Sequence, residues 1–304
     1  MIVVFGSINV DLVFRVTNLP RPGETVLAPS YAVVAGGKGA NQAVAAARAG
    51  SETHMVGRVG RDGFAEAALA GLRAASVGLA GVVAGEGATG CAAICVDEAG
   101  HNQIVVASGA NRAVAANLLD DALLGPDTTL MLQHEVDAAE TWAAARRARD
   151  RGARVVLNAA PAAPLPAEAA LDLLIVNEVE AGMIAAHDGL NARGPVAASR
   201  AIAAARGVAT VVTLGGDGAR AFAADAAWRV GALAIDPLDT TAAGDAFVGV
   251  LAATLDGGGD LATALHRASV AGGLACTVAG AQPSLPDAAA IDAALPRLAP
   301  PERV

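Results

Sequence analysis

Short runs of Val, Ile and Leu recur along the chain, separated by longer Ala-rich stretches whose apolar positions repeat at helical spacing. Unbroken apolar runs suit the strands of a buried sheet, and the stretches between them suit the helices that cover it. The pattern predicts strands at Ile2–Phe5, His54–Val59, Thr129–Leu132, Arg154–Leu157, Leu173–Val176 and Ala209–Leu214. It predicts helices at Ala40–Ala49, Phe64–Ala74, Ala138–Asp150, Val196–Arg206, Gly244–Leu255 and Leu261–Val278. Strands alternating with helices indicate an α/β protein built on a mostly parallel central sheet.

Two stretches break the alternation. Asp11–Val34, with a turn at Pro20–Gly23, and Cys91–Ala107, with a turn at Glu98–Asn102, read as strand pairs without a helix between them. Inserted in a βα chain, they predict a small sheet standing off the main one as a lid or an association surface; the alternative is a pair of edge strands on the main sheet. With no internal repeat and no linker, one domain over residues 1–304 is expected, its lid formed by about 11–34 and 91–107. The last residues, Leu298–Val304, are expected to fray.

Composition sharpens this picture. Hydrophobic residues make up 54% of the chain but aromatic ones only 3%, so Ala, Val, Leu and Ile must fill the core, which favours α/β over a β-sandwich. A net charge of −9 argues against a nucleic-acid partner. Met1 leads straight into a strand-like run, and no apolar run approaches the ~18 residues a membrane span needs, so a cytoplasmic protein is expected. Cys91, Cys95 and Cys276 form no C-x-x-C pair and read as buried thiols, and His134-Glu135 lacks the second His of a zincin helix. A metal held by protein ligands alone is not expected.

Two segments carry candidate chemistry. Asp239-Thr-Thr-Ala-Ala-Gly-Asp245 runs into an apolar helix, and Ala242, Ala243 and Gly244 leave room for an anion against the unpaired amides of the helix start. Asp245, in the first turn, stands where it can take a proton from a hydroxyl attacking a phosphorus held there; a carboxylate at that position also suits a simple helix cap. Ala35-Gly-Gly-Lys-Gly-Ala-Asn-Gln42 opens a helix, with glycines for close backbone approach and Lys38, Asn41 and Gln42 as directional polar groups for a polyol. Lys38 is the only lysine, and Gly39 rather than Ser or Thr follows it, so there is no P-loop. The G-x-G-x-x-G string at Gly85–Gly90 runs into a strand-like segment and reads as a turn.

With Gly6-Ser-Ile-Asn-Val-Asp11, Pro22-Gly-Glu-Thr25, Gly57-Arg-Val-Gly-Arg-Asp-Gly63 and Gly280-Ala-Gln-Pro-Ser284 added in order, the chain resembles the PfkB family of carbohydrate kinases over nearly its whole length. The resemblance implies a three-layer α/β/α, ribokinase-like (Rossmann-like) domain with a small β-sheet lid. It implies an ATP-dependent kinase for a primary hydroxyl, with D-ribose the first expectation. Fructose, 2-keto-3-deoxygluconate or a nucleoside is the alternative acceptor, and a non-catalytic sugar sensor the alternative class. By the same resemblance Asn9, Asp11, Gly37, Lys38, Asn41 and Glu135 hold the sugar, although His134 stands where an apolar residue usually precedes that Glu. Asp245 is the base, beside an anion hole of Ala242, Ala243 and Gly244. Asn177 and Glu180 form the N-x-x-E motif that organises Mg²⁺, water and phosphate, and Thr213, Gly215 and Gly218 form the nucleotide loop. Asp239, Thr241, Ala275, Gly280 and Ser284 match a potassium site, and lid strands shared between two chains would give a homodimer. The stretch Asn158-Ala-Ala-Pro161 carries Ala159 where the family often has Pro, with little consequence expected for the chemistry.

Overall fold

A computed structural model describes residues 1–304. In chain order the elements are β1 (Ile2–Phe5), β2 (Asn9–Arg15), β3 (Tyr31–Gly36), α1 (Lys38–Arg48), β4 (Thr53–Val59), α2 (Ala65–Ala74), β5 (Gly78–Ala84), β6 (Gly90–Val96) and β7 (Asn102–Ala107). Then come β8 (Thr129–Leu132), α3 (Ala138–Asp150), β9 (Arg154–Asn158), β10 (Leu173–Asn177), α4 (Glu178–His187), α5 (Pro195–Arg206) and β11 (Ala209–Thr213). The chain closes with β12 (Ala219–Phe222), β13 (Ala227–Val230), α6 (Ala243–Asp256), α7 (Leu261–Ala275), α8 (Ala281–Ser284), α9 (Ala288–Ala294) and β14 (Glu302–Arg303).

Ten strands make one sheet in the order β14-β13-β12-β11-β10-β9-β8-β1-β4-β5. Pairing is parallel from β5 to β11 and antiparallel from β11 to β14. Its central strands are buried on both faces. Ile2 and Val4 of β1 join one apolar cluster and Val3 and Phe5 the other; Leu173 and Ile175 of β10 face away from Leu174 and Val176 in the same way. Alternate side chains leaving opposite faces is the reason these strands read as unbroken apolar runs.

The two hairpin-like stretches do not join the edge of this sheet. They pair with each other, β2 running parallel to β6, in a separate four-stranded sheet of order β3-β2-β6-β7. Asn9 and Gly36 are paired at its foot, directly after β1 and before α1, so the small sheet rises from the same place where α1 begins.

A core of small residues lets helices approach closely. A Cβ on Gly249 of α6 would lie 2.6 Å from the Ala45 Cβ and 2.7 Å from the Gln42 carbonyl oxygen of α1. This contact brings the start of α1 against the start of α6.

Several expectations are corrected. The C-terminal tail does not fray: β14 pairs with β13, Arg229 bonds Glu302 at 2.8 Å, and Leu298 is buried. The three cysteines are free thiols, half-buried rather than buried. The pattern also misses β5, α4, β12, β13, α8 and α9, which are short, carry Gly and Ala, or follow a strand without a linker.

Candidate active site

The carboxylate of Asp245 projects from the first turn of α6 and is buried, 6% exposed. It does not cap its own helix. Its Oδ2 accepts from Asn41 Nδ2 at 2.9 Å and its Oδ1 from Gln42 Nε2 at 3.0 Å, both on the first turns of α1. Ala242, the residue before the helix, takes a left-handed backbone at φ 59°, an uncommon choice for a residue with a Cβ and one that turns the chain sharply into α6. Ala243 N–H is engaged by the Thr240 carbonyl at 3.3 Å, whereas the amides of Ala242, Gly244 and Asp245 have no protein partner.

Around this carboxylate the strand ends and the α1 start bring further polar groups together. Lys38 N–H donates to Glu135 Oε2 at 3.1 Å, and the Ser7 hydroxyl donates to the same oxygen at 2.6 Å. The Asp245 carboxylate raises the Lys38 ammonium above its ordinary range; burial opposes this, and Glu135 and Glu180 reinforce it. Glu135, despite His134 before it, thus belongs to the cluster. Asp11, in β2, is pushed up to about 6 by burial, with the negative fields of Glu135 and Asp245 added.

Glycines make the close approaches possible. A Cβ on Gly36 would meet Asp11 Oδ2 at 2.3 Å, and Gly37, at φ 88°, lies where a Cβ would be 2.8 Å from Asn9 N. Asn9 Oδ1 is held by Asn111 Nδ2 at 2.7 Å, and Asn111 Oδ1 in turn accepts from Ile8 N at 3.0 Å. A cavity of about 560 Å³ opens beside them, lined in part by Asn9, Lys38, Asn111, Arg112, His134 and Glu135. His134 Nδ1 lies 3.1 Å from the Pro161 carbonyl, and burial keeps the imidazole below its ordinary range against that contact.

Asn177 and Glu180 form a reciprocal capping box at the start of α4. Asn177 Oδ1 accepts from Glu180 N and Glu180 Oε2 accepts from Asn177 N, each at 2.8 Å. Burial raises the Glu180 carboxyl, partly offset by the Asn177 N–H and by Lys38, whose field couples the cap to the cluster. Thr213 pairs in register with Asn177 across β10 and β11, and Gly215 and Gly218 turn the next loop at φ 53° and 84°. These residues therefore adjoin Asn177.

Asp239 joins two loops. Its Oδ1 accepts from Thr241 N at 2.9 Å and its Oδ2 from Gly280 N at 2.8 Å, while the Cys276 carbonyl beside Ala275 accepts from Leu238 N and Asp239 N. Burial pushes the Asp239 carboxyl up, but the hydrogen bonds from Thr241 and Gly280 outweigh it and hold it below the usual range. Ser284 Oγ is turned onto the Ala281 carbonyl at 2.7 Å.

Sequence reasoning missed a set of buried amides. Gln133 Nε2 donates to Gln42 Oε1 at 2.8 Å, and Gln42 Nε2 also donates to Asn158 Oδ1 at 3.0 Å. Gln42 was visible inside its glycine-rich block and Asn158 inside Asn158-Ala-Ala-Pro161; nothing in the sequence signalled that they meet.

A three-layer domain with a carboxylate beside free amides at a helix start matches phosphotransferases that use an alcohol group as acceptor. The chain belongs to the family described as pfkB family carbohydrate kinase, whose model matches residues 1–288. It is 35% identical over 294 residues to the ribokinase of Bacillus subtilis, covering 94% of this chain and 96% of that one. It is also 35% identical over 299 residues to the bifunctional ribokinase/ribose-5-phosphate isomerase A of Fructilactobacillus sanfranciscensis, covering 95% of this chain but 55% of that longer protein. The solved Arabidopsis thaliana ribokinase complexed with ribose and ATP superposes with a TM-score of 0.87 at 30% identity, covering 97% and 98% of the two chains.

Proposed function

We propose that this chain is an ATP-dependent sugar kinase that moves the γ-phosphoryl group of ATP to the primary 5-hydroxyl of D-ribose. The convergence of Asp245 with Asn41, Lys38 and Glu135 beside free helix-start amides carries this reading. Ribose as acceptor and ATP as donor are supported by the relatives that bear the ribokinase name and by the ribose and ATP in the plant structure.

The sugar lies between the foot of the small sheet and the start of α1. Asp11 and Asn9 take hydroxyl hydrogens, and the Gly37 and Lys38 turn closes from the other side. Asn41 Oδ1 is buried without a partner, the chemistry of an atom reserved for a donor such as a sugar hydroxyl. The 5-hydroxyl faces Asp245, which takes its proton as the oxygen attacks the γ-phosphorus and the bond to the β–γ bridging oxygen breaks, with ADP leaving. The amides of Gly244 and Asp245, at the positive end of α6, stabilise the charge on the transferring group. Thr213, Gly215 and Gly218 hold the rest of the nucleotide.

No group of three or more His, Cys, Asp or Glu side chains converges to cage a metal. A magnesium ion accompanying the nucleotide would be held with the help of Glu180, through water, its carboxylate oriented by Asn177. When bound, the ion supplies Lewis-acid neutralisation of phosphate charge. Potassium suits the loops that Asp239 ties together, with Thr241, Ala275, Gly280 and Ser284 as oxygen donors; the monovalent charge would steady the adjoining start of α6.

The small sheet acts as a lid that excludes water during transfer. Its edge strands carry exposed Tyr31 and Val33 on β3 and Ile104, Val105 and Val106 on β7, an apolar surface suited to a second copy in a homodimer. A cytoplasmic setting agrees with the consumption of ATP.

The test is a panel of ribose, fructose, 2-keto-3-deoxygluconate and nucleosides with purified protein and MgATP, scored by ADP release. Ribose should give the highest kcat/KM. A higher value with another acceptor would replace ribose, and no acceptor-dependent ADP release would overturn the kinase reading.

A further inference from the structure

The proposed base is tied to the central sheet by a relay of buried amides that the reaction as described does not use. Asn158, at the end of β9, donates Nδ2 to the Ile175 backbone carbonyl of β10 at 3.3 Å. A carbonyl only accepts, so this bond fixes which way the Asn158 amide points and turns its Oδ1 toward Gln42. That oxygen demands a donor, and Gln42 supplies Nε2 at 3.0 Å. On the opposite side of the same amide, Gln133 Nε2 donates to Gln42 Oε1 at 2.8 Å. Both contacts select one orientation of Gln42, the one that presents its NH₂ to Asp245 Oδ1 at 3.0 Å. Gln42 and Gln133 are fully buried and Asn158 is 8% exposed, so no water competes for these groups.

We propose that Gln42 is a positioning residue for Asp245, locked by Asn158 and Gln133 in the orientation that donates to the carboxylate and holds it in a single rotamer aimed at the acceptor hydroxyl. With Asn41 on one oxygen and Gln42 on the other, the carboxylate cannot swing about its Cα–Cβ bond without losing a charge-assisted hydrogen bond. The relay thereby passes the geometry of the strand ends β8, β9 and β10 to a base that sits on a helix. It also gives Asn158 a role in a segment whose departure from the family pattern otherwise looks inconsequential. The inference rests on Asp245 being the base.

Two variants separate the links. Gln42→Met removes the donor, and Asn158→Leu leaves Gln42 in place but removes the acceptor that orients it. Both should lower kcat by about ten-fold or more, the scale of one lost hydrogen bond to a charged group, while KM for ribose and for ATP stays within about three-fold. A loss confined to thermal stability, with kcat unchanged, would overturn the proposal. Asp245→Asn is measured beside them. If it is inactive while both relay variants match the parent, the relay falls and the base stands; if it turns over normally, the base itself falls. Should neither relay variant fold, the parent protein decides. With ¹⁵N-labelled glutamine, the relay predicts two side-chain amides, those of Gln42 and Gln133, that exchange slowly with solvent, and the absence of such signals would contradict it.

Discussion

Asn41 Nδ2 lies 2.9 Å from Asp245 Oδ2, joining residues 204 positions apart in the chain. The bond is possible because α1 and α6 meet without bulk between them, with Gly249 of α6 lying against Ala45 and the Gln42 carbonyl of α1. The proposed sugar-binding turn and the proposed base are thus set by one helix-helix contact.

Gly249→Ala tests that contact. The new Cβ would stand 2.6 Å from the Ala45 Cβ, so the helices must separate. Overpacking of this kind destabilises by about 1–3 kcal/mol. Both the midpoint of chemical denaturation and kcat should fall, and an unchanged kcat would mean that the spacing of α1 and α6 does not govern the base.

Acidification should weaken sugar binding before it unfolds the protein. With its carboxyl up at about 6, Asp11 loses its charge, and one acceptor for hydroxyl hydrogens, as pH falls through that value. KM for ribose should rise below about pH 6 in the parent, and this titration should be absent from Asp11→Asn, whose KM is raised throughout. The stability effect has the opposite sense. A carboxyl raised on folding favours the folded state most fully below its unfolded value, near pH 3.8, and that contribution is lost as pH rises through about 6. Denaturation of the parent relative to Asp11→Asn between pH 4 and 7 reads it directly.

Glu180 carries a cap and a proposed place beside magnesium, and one pair of variants divides them. Asn177→Ala removes an N-cap oxygen and should cost about 1 kcal/mol of stability. Glu180→Gln keeps an oxygen to accept from Asn177 N but removes the charge, so the melting midpoint should hold while the magnesium concentration for half-maximal activity rises. Equal magnesium dependence in parent and Glu180→Gln would confine the residue to its cap.

For the loops joined through Asp239, activity in potassium should exceed activity in tetramethylammonium at equal ionic strength. Identical rates would remove the monovalent cation from the account.

Much of this arrangement was legible in the chain. The six strand runs of the central sheet showed because burial on both faces removes polar alternation, and the glycine-rich start of α1 showed because its close approach to Ser7, Asn9 and Asp11 leaves no room for a Cβ. Three kinds of feature did not show. Strands β12, β13 and β14 are short antiparallel segments at one end of the sheet whose identity comes from pairing, and Glu302–Arg303 has no apolar pattern of its own. Helix α4 follows β10 with no intervening loop, so its span did not show in the pattern. The amides of Gln42, Gln133 and Asn158 meet only because the parallel crossovers bring the ends of β8 and β9 beside the start of α1, a long-range consequence of topology that local spacing does not encode.

The central claim is that Asp245 takes the proton of the acceptor hydroxyl. Asp245→Asn preserves the size of the side chain, so ribose and ATP should still bind with near-parental affinity in calorimetry. Turnover measured by ADP release should drop roughly 10²- to 10⁴-fold. Turnover within a few-fold of the parent, with both substrates bound, would contradict the account.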